Sequence, residues 1–331
     1  GGGRCEGTIP AGAGAVRRRG GSCDDMAGAF MRAVVFSQYG DESVLELVER
    51  PEPVPAAGEL LVEVRAAGVN PVDWKHREGA VRSDRPFPLG MGWDVAGVVR
   101  ATVPGGPAVG EEVYGMLPLP YGAAYQEVTA IPASAVAPKP AGLSWAQAAA
   151  VPLAALTAWQ ALEAAGVTAG QRVLVHAGAG GVGHFAVQFA KHLRAHVTAT
   201  ASGRNVEFLH GLGVDEPVDR TVVDPADLKP FDMVLDTVGG PVQAASWGLL
   251  RDGGTLITLP EPLDEAHRVP GITARRVIVA PDGEALRRIG ALVGAGAVHV
   301  EVQEVLPLEE AARAHRLSAE GRVRGKLVLA L

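Results

Sequence analysis

Two cysteines in 331 residues, 5% aromatic side chains and a net charge of only −7 mark what this sequence has little of. Both cysteines, Cys5 and Cys23, fall within the first 30 residues, and from Ala27 onward there is no thiol. A disulfide framework and a cysteine-ligated metal are thereby excluded from the folded body. No apolar run reaches the ~18 residues that a membrane helix needs. With 47% hydrophobic residues and so small a net charge, general disorder is excluded as well. Lys and Arg number 30 against 37 Asp and Glu, the reverse of the basic balance that nucleic-acid recognition shows. The expectation is a soluble, cytoplasmic chain with neither a membrane nor a nucleic acid as partner.

What is abundant is glycine, 43 residues, and proline, 24, and their placement punctuates the chain. Residues 1–30 are glycine-rich with little periodic apolar character, so they cannot offset the entropy of ordering. They read as a disordered leader rather than a targeting peptide, because no apolar segment follows Arg17 to Arg19. Met31 is expected to begin the folded chain. From there, short apolar runs such as VLELVER, ELLVEVRAAGVN and WDVAGVV alternate with turn residues, which predicts a mainly β region to about Val151. SWAQAAAVPLAALTAWQALEAAG is Ala-rich with helical spacing. Beyond it strands and helices alternate (RVLVHA, HFAVQFAKHLRA, HVTATA, FDMVLDTVG), which predicts an α/β fold with a doubly wound parallel sheet. The last segments, VHVEVQEVLPL and GKLVLAL, return to β character. The expected organisation is a β domain over 31–152 completed by 285–331, with a dinucleotide-binding domain over 153–284. ARRVIVA (274–280) reads as an apolar strand at the sheet edge, which predicts a homodimer.

Gly178, Gly180 and Gly183 form GxGxxG between a predicted strand and a predicted helix. Alone the motif is weak. In this context it provides a tight turn, a close backbone approach to a pyrophosphate and a helix N-terminus that favours negative charge. An NAD site places an acidic residue about 20 residues further on. Here Thr200, Ala201 and Ser202 occupy that place, Arg204 follows, and Arg220 comes after the third strand. No carboxylate repels a 2′-phosphate there and Ser202 and Arg204 can donate to one, so the cofactor expected is NADPH.

Several longer segments, AAGVNPVDWKHREG (66–79), PLGMGWDVAGVV (88–99), AAVPLAALTAWQAL (149–162), HAGAGGVG (176–183), DTVGG (236–240) and GRVRGKLVL (321–329), resemble the zinc-independent medium-chain dehydrogenase/reductase family, in its quinone oxidoreductase branch. The resemblance spans about Met31 to Leu331 and implies a GroES-like β domain with an inserted Rossmann domain. In zinc-dependent members a Cys stands at the position of Asn70 and a His-Glu pair at Trp93 and Asp94, so neither zinc site can be assembled. Without a Lewis acid, hydride transfer suits acceptors that already delocalise charge, such as quinones or activated alkenes. The resemblance implies Asn70 and Thr157 beside the nicotinamide ribose, Gly180, Gly181 and Val182 at the pyrophosphate, and Val238 and Gly239 near the nicotinamide. Donors at Asn70, Trp74 and Lys75 would then stabilise charge on the acceptor oxygen or supply a proton.

Each position also has a plainer reading. Asn70-Pro71 can simply shape a turn, Asp73 can brace that loop, and Lys75 can be a solvated charge. Arg204 can open the next helix. His176 reads as a satisfied core residue, and the other histidines have no metal-ligand spacing. Two rivals to a quinone reductase stay open: an enoyl or alkenal reductase of a biosynthetic pathway, and an NADPH-binding protein without turnover.

Overall fold

The computed structural model describes residues 29–228 and 230–331. The expected leader lies outside the described residues as far as residue 28. Its last two residues belong to the fold instead: the Ala29 carbonyl accepts from the Glu52 N–H at 2.8 Å, and Phe30 opens the first strand.

A small antiparallel sheet pairs β1 (Phe30–Phe36) with β2 (Leu45–Pro51) and β4 (Leu89–Gly90). The larger β sheet holds β3 (Glu59–Val69), β5 (Asp94–Ala101), β6 (Glu112–Met116), β7 (Val128–Pro132), β8 (Val136–Pro138), β15 (Val302–Pro307) and β16 (Lys326–Ala330). Along β3 the burial first alternates, with Leu60, Val62 and Val64 inward, as a one-sided strand requires. From Ala66 to Val69 every residue is buried, because helix α2 (Trp145–Ala149) covers the second face. Gly68 lets that helix in: a methyl group there would run into the Ala149 carbonyl and lie 2.7 Å from the Asp94 carboxylate. β16 pairs antiparallel with β3, Leu327 opposite Val69, so this sheet joins the two ends of the chain.

The parallel sheet has strand order β11-β10-β9-β12-β13-β14. Its strands are β9 (Arg172–Val175), β10 (His196–Ala201), β11 (Glu216–Asp219), β12 (Phe231–Asp236), β13 (Leu250–Thr258) and β14 (Thr273–Arg276). Val173, Leu174 and Val175 of β9 are inaccessible to solvent, as in a strand covered by helices on both faces. Those helices include α3 (Pro152–Ala165), α4 (Gly183–His192), α5 (Val206–Gly211) and α6 (Pro241–Ser246), whereas α7 (Gly283–Gly294) packs on β8 and α3. Between β9 and β12 the strand order reverses, which opens a crevice at their C-terminal ends.

Two elements differ from the sequence reading. The Ala-rich helical stretch is two helices, because Pro152 opens α3 at a first-turn position where its missing N–H has no partner to lose. The edge strand is Thr273–Arg276 rather than ARRVIVA: only four residues pair with β13, and Ile278 beyond them is 66% exposed.

Four imidazoles, those of His76, His176, His184 and His315, are buried among the described residues, and three of them are shifted far. Burial holds His176 and His184 down to about 4, and burial together with the Arg77 guanidinium holds His315 down to about 3. The unfolded chain binds these protons near the ordinary imidazole pKa of about 6.5. The stability from keeping the rings neutral is therefore complete above that pH and is lost as pH falls through the folded values. NMR of the imidazole nitrogens at about pH 5 is expected to show His176 and His184 neutral; protonated rings in the folded protein would contradict this.

Candidate active site

The GxGxxG turn follows β9 and fits its local packing. Ala177 sits at φ 51°, and the Gly178 N–H donates to the Thr200 carbonyl at 2.8 Å. A methyl at Gly178 would lie 2.7 Å from the Ala199 Cβ, and one at Gly183 would collide with the Ala177 carbonyl. Gly180 is less constrained, with only that same carbonyl at 3.3 Å. Val182 precedes α4 and supplies no side-chain cap, while the His184 N–H of the first turn donates to the Gly180 carbonyl at 3.0 Å. His184 fixes the loop from below, since its Nδ1 lies 3.0 Å from the Gly180 carbonyl.

A cleft of about 730 Å³ opens from this turn. Gly180, Ser202, Arg204, Arg220 and Val238 line it together, so five of the positions singled out in the sequence share one wall. Arg322, which sequence reasoning missed, lines it too, and its carbonyl accepts from the Arg204 Nη2 at 2.8 Å. The lining holds three arginines and one acidic residue, Asp224. That balance suits an anionic group, and the glycine turn suits a pyrophosphate.

His176 also lines the cleft, yet both its nitrogens have partners. Nδ1 lies 3.3 Å from the Thr200 Oγ1 and Nε2 lies 3.1 Å from the Ser246 Oγ. It holds β9, β10 and α6 together. Val238 and Gly239 follow β12, where the Asp236 carboxylate accepts from both their N–H groups at 2.9 and 2.8 Å. Gly239 has φ 83°, and a methyl there would press on Pro260 and on the Glu261 carboxylate, which accepts from the Gly240 N–H.

Asn70, Trp74, Lys75 and Thr157 do not line this cleft. Asn70 caps α1 (Pro71–Arg77) in a reciprocal box with Asp73, its N–H donating to the Asp73 Oδ2 at 2.9 Å. The turn-forming reading of Asn70-Pro71 therefore holds, and a second role is built on it. The Asn70 Nδ2 donates to the Asp94 Oδ2 at 2.8 Å, and its Oδ1 accepts from the Lys326 ammonium. Asp94 also accepts from the Leu153 N–H at 2.7 Å, one turn before Thr157, whose hydroxyl donates to the Leu153 carbonyl at 2.6 Å. Asn70 and Thr157 thus sit on one hydrogen-bonded chain. The Gly181 backbone reaches the same cluster, since a methyl there would lie 3.2 Å from the Lys326 Cδ.

Charge in this cluster is enclosed. Burial pushes Asp73 up to about 7 against the Tyr125 hydroxyl, which donates to it at 2.5 Å, the Asn70 N–H and Lys326. Burial raises Asp94 and lowers Lys326, each opposed by the charge of the other. Lys75, half-buried, is lowered from the ordinary ammonium value by burial and then by Arg276, with Glu261 opposing. The Trp74 Nε1 is buried without a protein partner. Sequence reasoning missed Tyr125, Glu261, Arg276 and Lys326. For Lys326 the signal was a charge inside the otherwise apolar run KLVLAL.

Among the described residues no group of three His, Cys, Asp or Glu side chains is placed to hold a metal ion, and no helix is long and apolar enough to cross a membrane. Residues 56–141 match a family model described as the alcohol dehydrogenase GroES-like domain, and residues 212–329 one described as a zinc-binding dehydrogenase. The chain is 36% identical to the 2-methylene-furan-3-one reductase of Solanum lycopersicum, over 90% of this chain and 79% of that one. It is 35% identical to the chloroplastic NADPH-dependent alkenal/one oxidoreductase of Arabidopsis thaliana, with the same coverage. Among solved structures, the quinone oxidoreductase from Coxiella burnetii superposes with a TM-score of 0.85 at 34% identity, covering 92% of this chain and all of that one. A GroES-like sheet beside a doubly wound dinucleotide domain and these relatives together place the chain in the zinc-independent, quinone-oxidoreductase-like branch of the medium-chain dehydrogenase/reductase family.

Proposed function

We propose that the protein uses NADPH to reduce a conjugated carbonyl acceptor, a quinone or an alkenal. The observation that carries the cofactor choice is the meeting of Arg204, Arg220 and Arg322 with Ser202 at the end of β10, on the wall of the cleft. A 2′-phosphate there gains charge-assisted hydrogen bonds, whereas a bare ribose leaves the guanidiniums without an anion. The glycine turn fits the pyrophosphate, because its backbone is open to close approach and the first turn of α4 has no side-chain cap. Bound there, the cofactor supplies a hydride.

The rest is done by side chains. Gly178, Gly180, Gly181, Val182 and Gly183 shape the pyrophosphate site, and Val238 and Gly239 flank the nicotinamide end. Thr157, whose hydroxyl hydrogen is spent on the Leu153 carbonyl, offers only an acceptor to the ribose. As hydride adds to the conjugated carbon, an electron pair moves onto the acceptor oxygen, and Asn70 stabilises that charge by donating a hydrogen bond. The Trp74 indole N–H is a second donor, since no protein group takes it. Lys75 supplies the proton that completes the two-electron reduction, directly or through water. Its lowered pKa brings the ammonium closer to neutrality, where it is a better acid. We also propose a homodimer formed through the free edge of β14 and the exposed Ile278.

Steady-state assays with NADPH are expected to show oxidation with a quinone or with an α,β-unsaturated ketone; no turnover with either class would overturn the proposal. Arg204→Ala is expected to weaken NADPH binding by about tenfold while leaving NADH binding nearly unchanged. Equal losses for both cofactors would remove the 2′-phosphate assignment. Sedimentation at micromolar concentration is expected to give the mass of two chains, and a single-chain mass would exclude the dimer.

A further inference from the structure

Lys326 is the one lysine whose ammonium is fully enclosed among the described residues, with 3% of its surface exposed. The fold takes trouble to place it. β16 begins at this residue, held by the Gly325 N–H on the Ala179 carbonyl at 2.8 Å and by the Lys326 N–H on the Glu301 carbonyl at 3.0 Å. Its stem then passes beneath Gly181 of the dinucleotide turn. The Nζ ends among three oxygens: the Val69 carbonyl at 2.8 Å, the Asn70 Oδ1, and the Asp94 Oδ2 at 3.6 Å. Two of these are hydrogen-bond acceptors and the third, Asp94, is held as an ion pair.

This arrangement decides what Asn70 can offer. An amide can flip, but here one end faces a cation that only donates and the other a carboxylate that only accepts, so a single orientation satisfies both. The backbone of Asn70 is engaged too, its carbonyl with the Asp73 N–H at 3.0 Å and its N–H with the Asp73 carboxylate. The second hydrogen on Nδ2 is the polar function of Asn70 that no described residue takes.

We propose that Lys326 is a positioning residue of the reductase: its ammonium locks the Asn70 amide so that position 70 presents a hydrogen-bond donor to the reacting molecules. The ammonium of Lys326 stands between Asn70 and Asp94. Lys326 acts through Asn70 and touches no reacting atom. The inference rests on the placing of Asn70 in the reaction site, so the test separates the two.

Single-turnover oxidation of NADPH by 1,4-naphthoquinone is measured for four variants, beside cofactor affinity and melting temperature. Asn70→Ala is expected to slow hydride transfer by about tenfold or more; an unchanged rate removes Asn70 from the reaction site and the inference with it. The double variant Lys326→Met/Asp94→Asn removes both buried charges while keeping volume, so a merely charge-balancing lysine would be dispensable in it. It is expected to bind NADPH like the parent protein, to transfer hydride about tenfold more slowly, and to lose little more when Asn70→Ala is added. A parental rate in the folded double variant, or effects that multiply, would overturn the role of Lys326 alone. Asn70→Asp guards against a double variant that fails to fold. It keeps an oxygen on Lys326 but removes the donor, so its rate is expected to fall at least as far as that of Asn70→Ala, and a parental rate would overturn the inference.

Discussion

The antiparallel pairing of β16 with β3 is the constraint on which the site depends. It sets Leu327 opposite Val69, one residue before Asn70, and so delivers Lys326 to Asn70 across 256 positions of sequence. The segment just before β16 reaches the other way and brings Arg322 to the wall of the cleft beside Arg204. One closing strand therefore reaches both the wall of the cleft and the buried Asn70 cluster. A chain truncated before it would lose not only a strand but one guanidinium and the buried ammonium.

Within that frame the enclosed charges divide by what surrounds them. The arginines of the cleft are exposed to solvent, where guanidinium forks keep their charge and their geometry. Asp73, Asp94 and Lys326 sit where water is absent, two potential anions against one cation. Burial raises both carboxylates, with Lys326 opposing the rise in each. Asp94 is the carboxylate that Lys326 and Asn70 serve. Such a cluster contributes little net stability, because desolvation offsets attraction; its value is in fixing one geometry for Asn70.

Much of the architecture was legible in the sequence because it is written in local periods. The βα alternation from Arg172 onward, the glycine turn and the Pro/Gly-punctuated strands each declare themselves within a few residues. The break between α2 and α3 also had a local sign, Pro152, but the flanking alanines masked it. The short β14 was overread because ARRVIVA is β-prone throughout, whereas pairing stops at Arg276 where β13 ends. At the site, Ser202, Arg204 and Arg220 were visible because they follow the glycine turn at the distances a dinucleotide fold requires. Arg322, Glu261, Arg276 and Lys326 were not, since nothing near them in sequence says what they meet. Arg204 and Arg322 are separated by 118 positions, and only the closed sheet brings them together.

The absence of thiols from the folded body bears on chemical durability. Quinones and alkenals are soft electrophiles, and the side chain they capture fastest is a cysteine thiolate. Every residue from Ala29 to Leu331 is free of that nucleophile. A catalyst that concentrates such electrophiles in its own cleft would alkylate a thiol placed nearby at each unproductive encounter. The cleft is lined instead by arginine, serine, threonine, histidine and small apolar side chains, so no thiolate adduct can form on its walls.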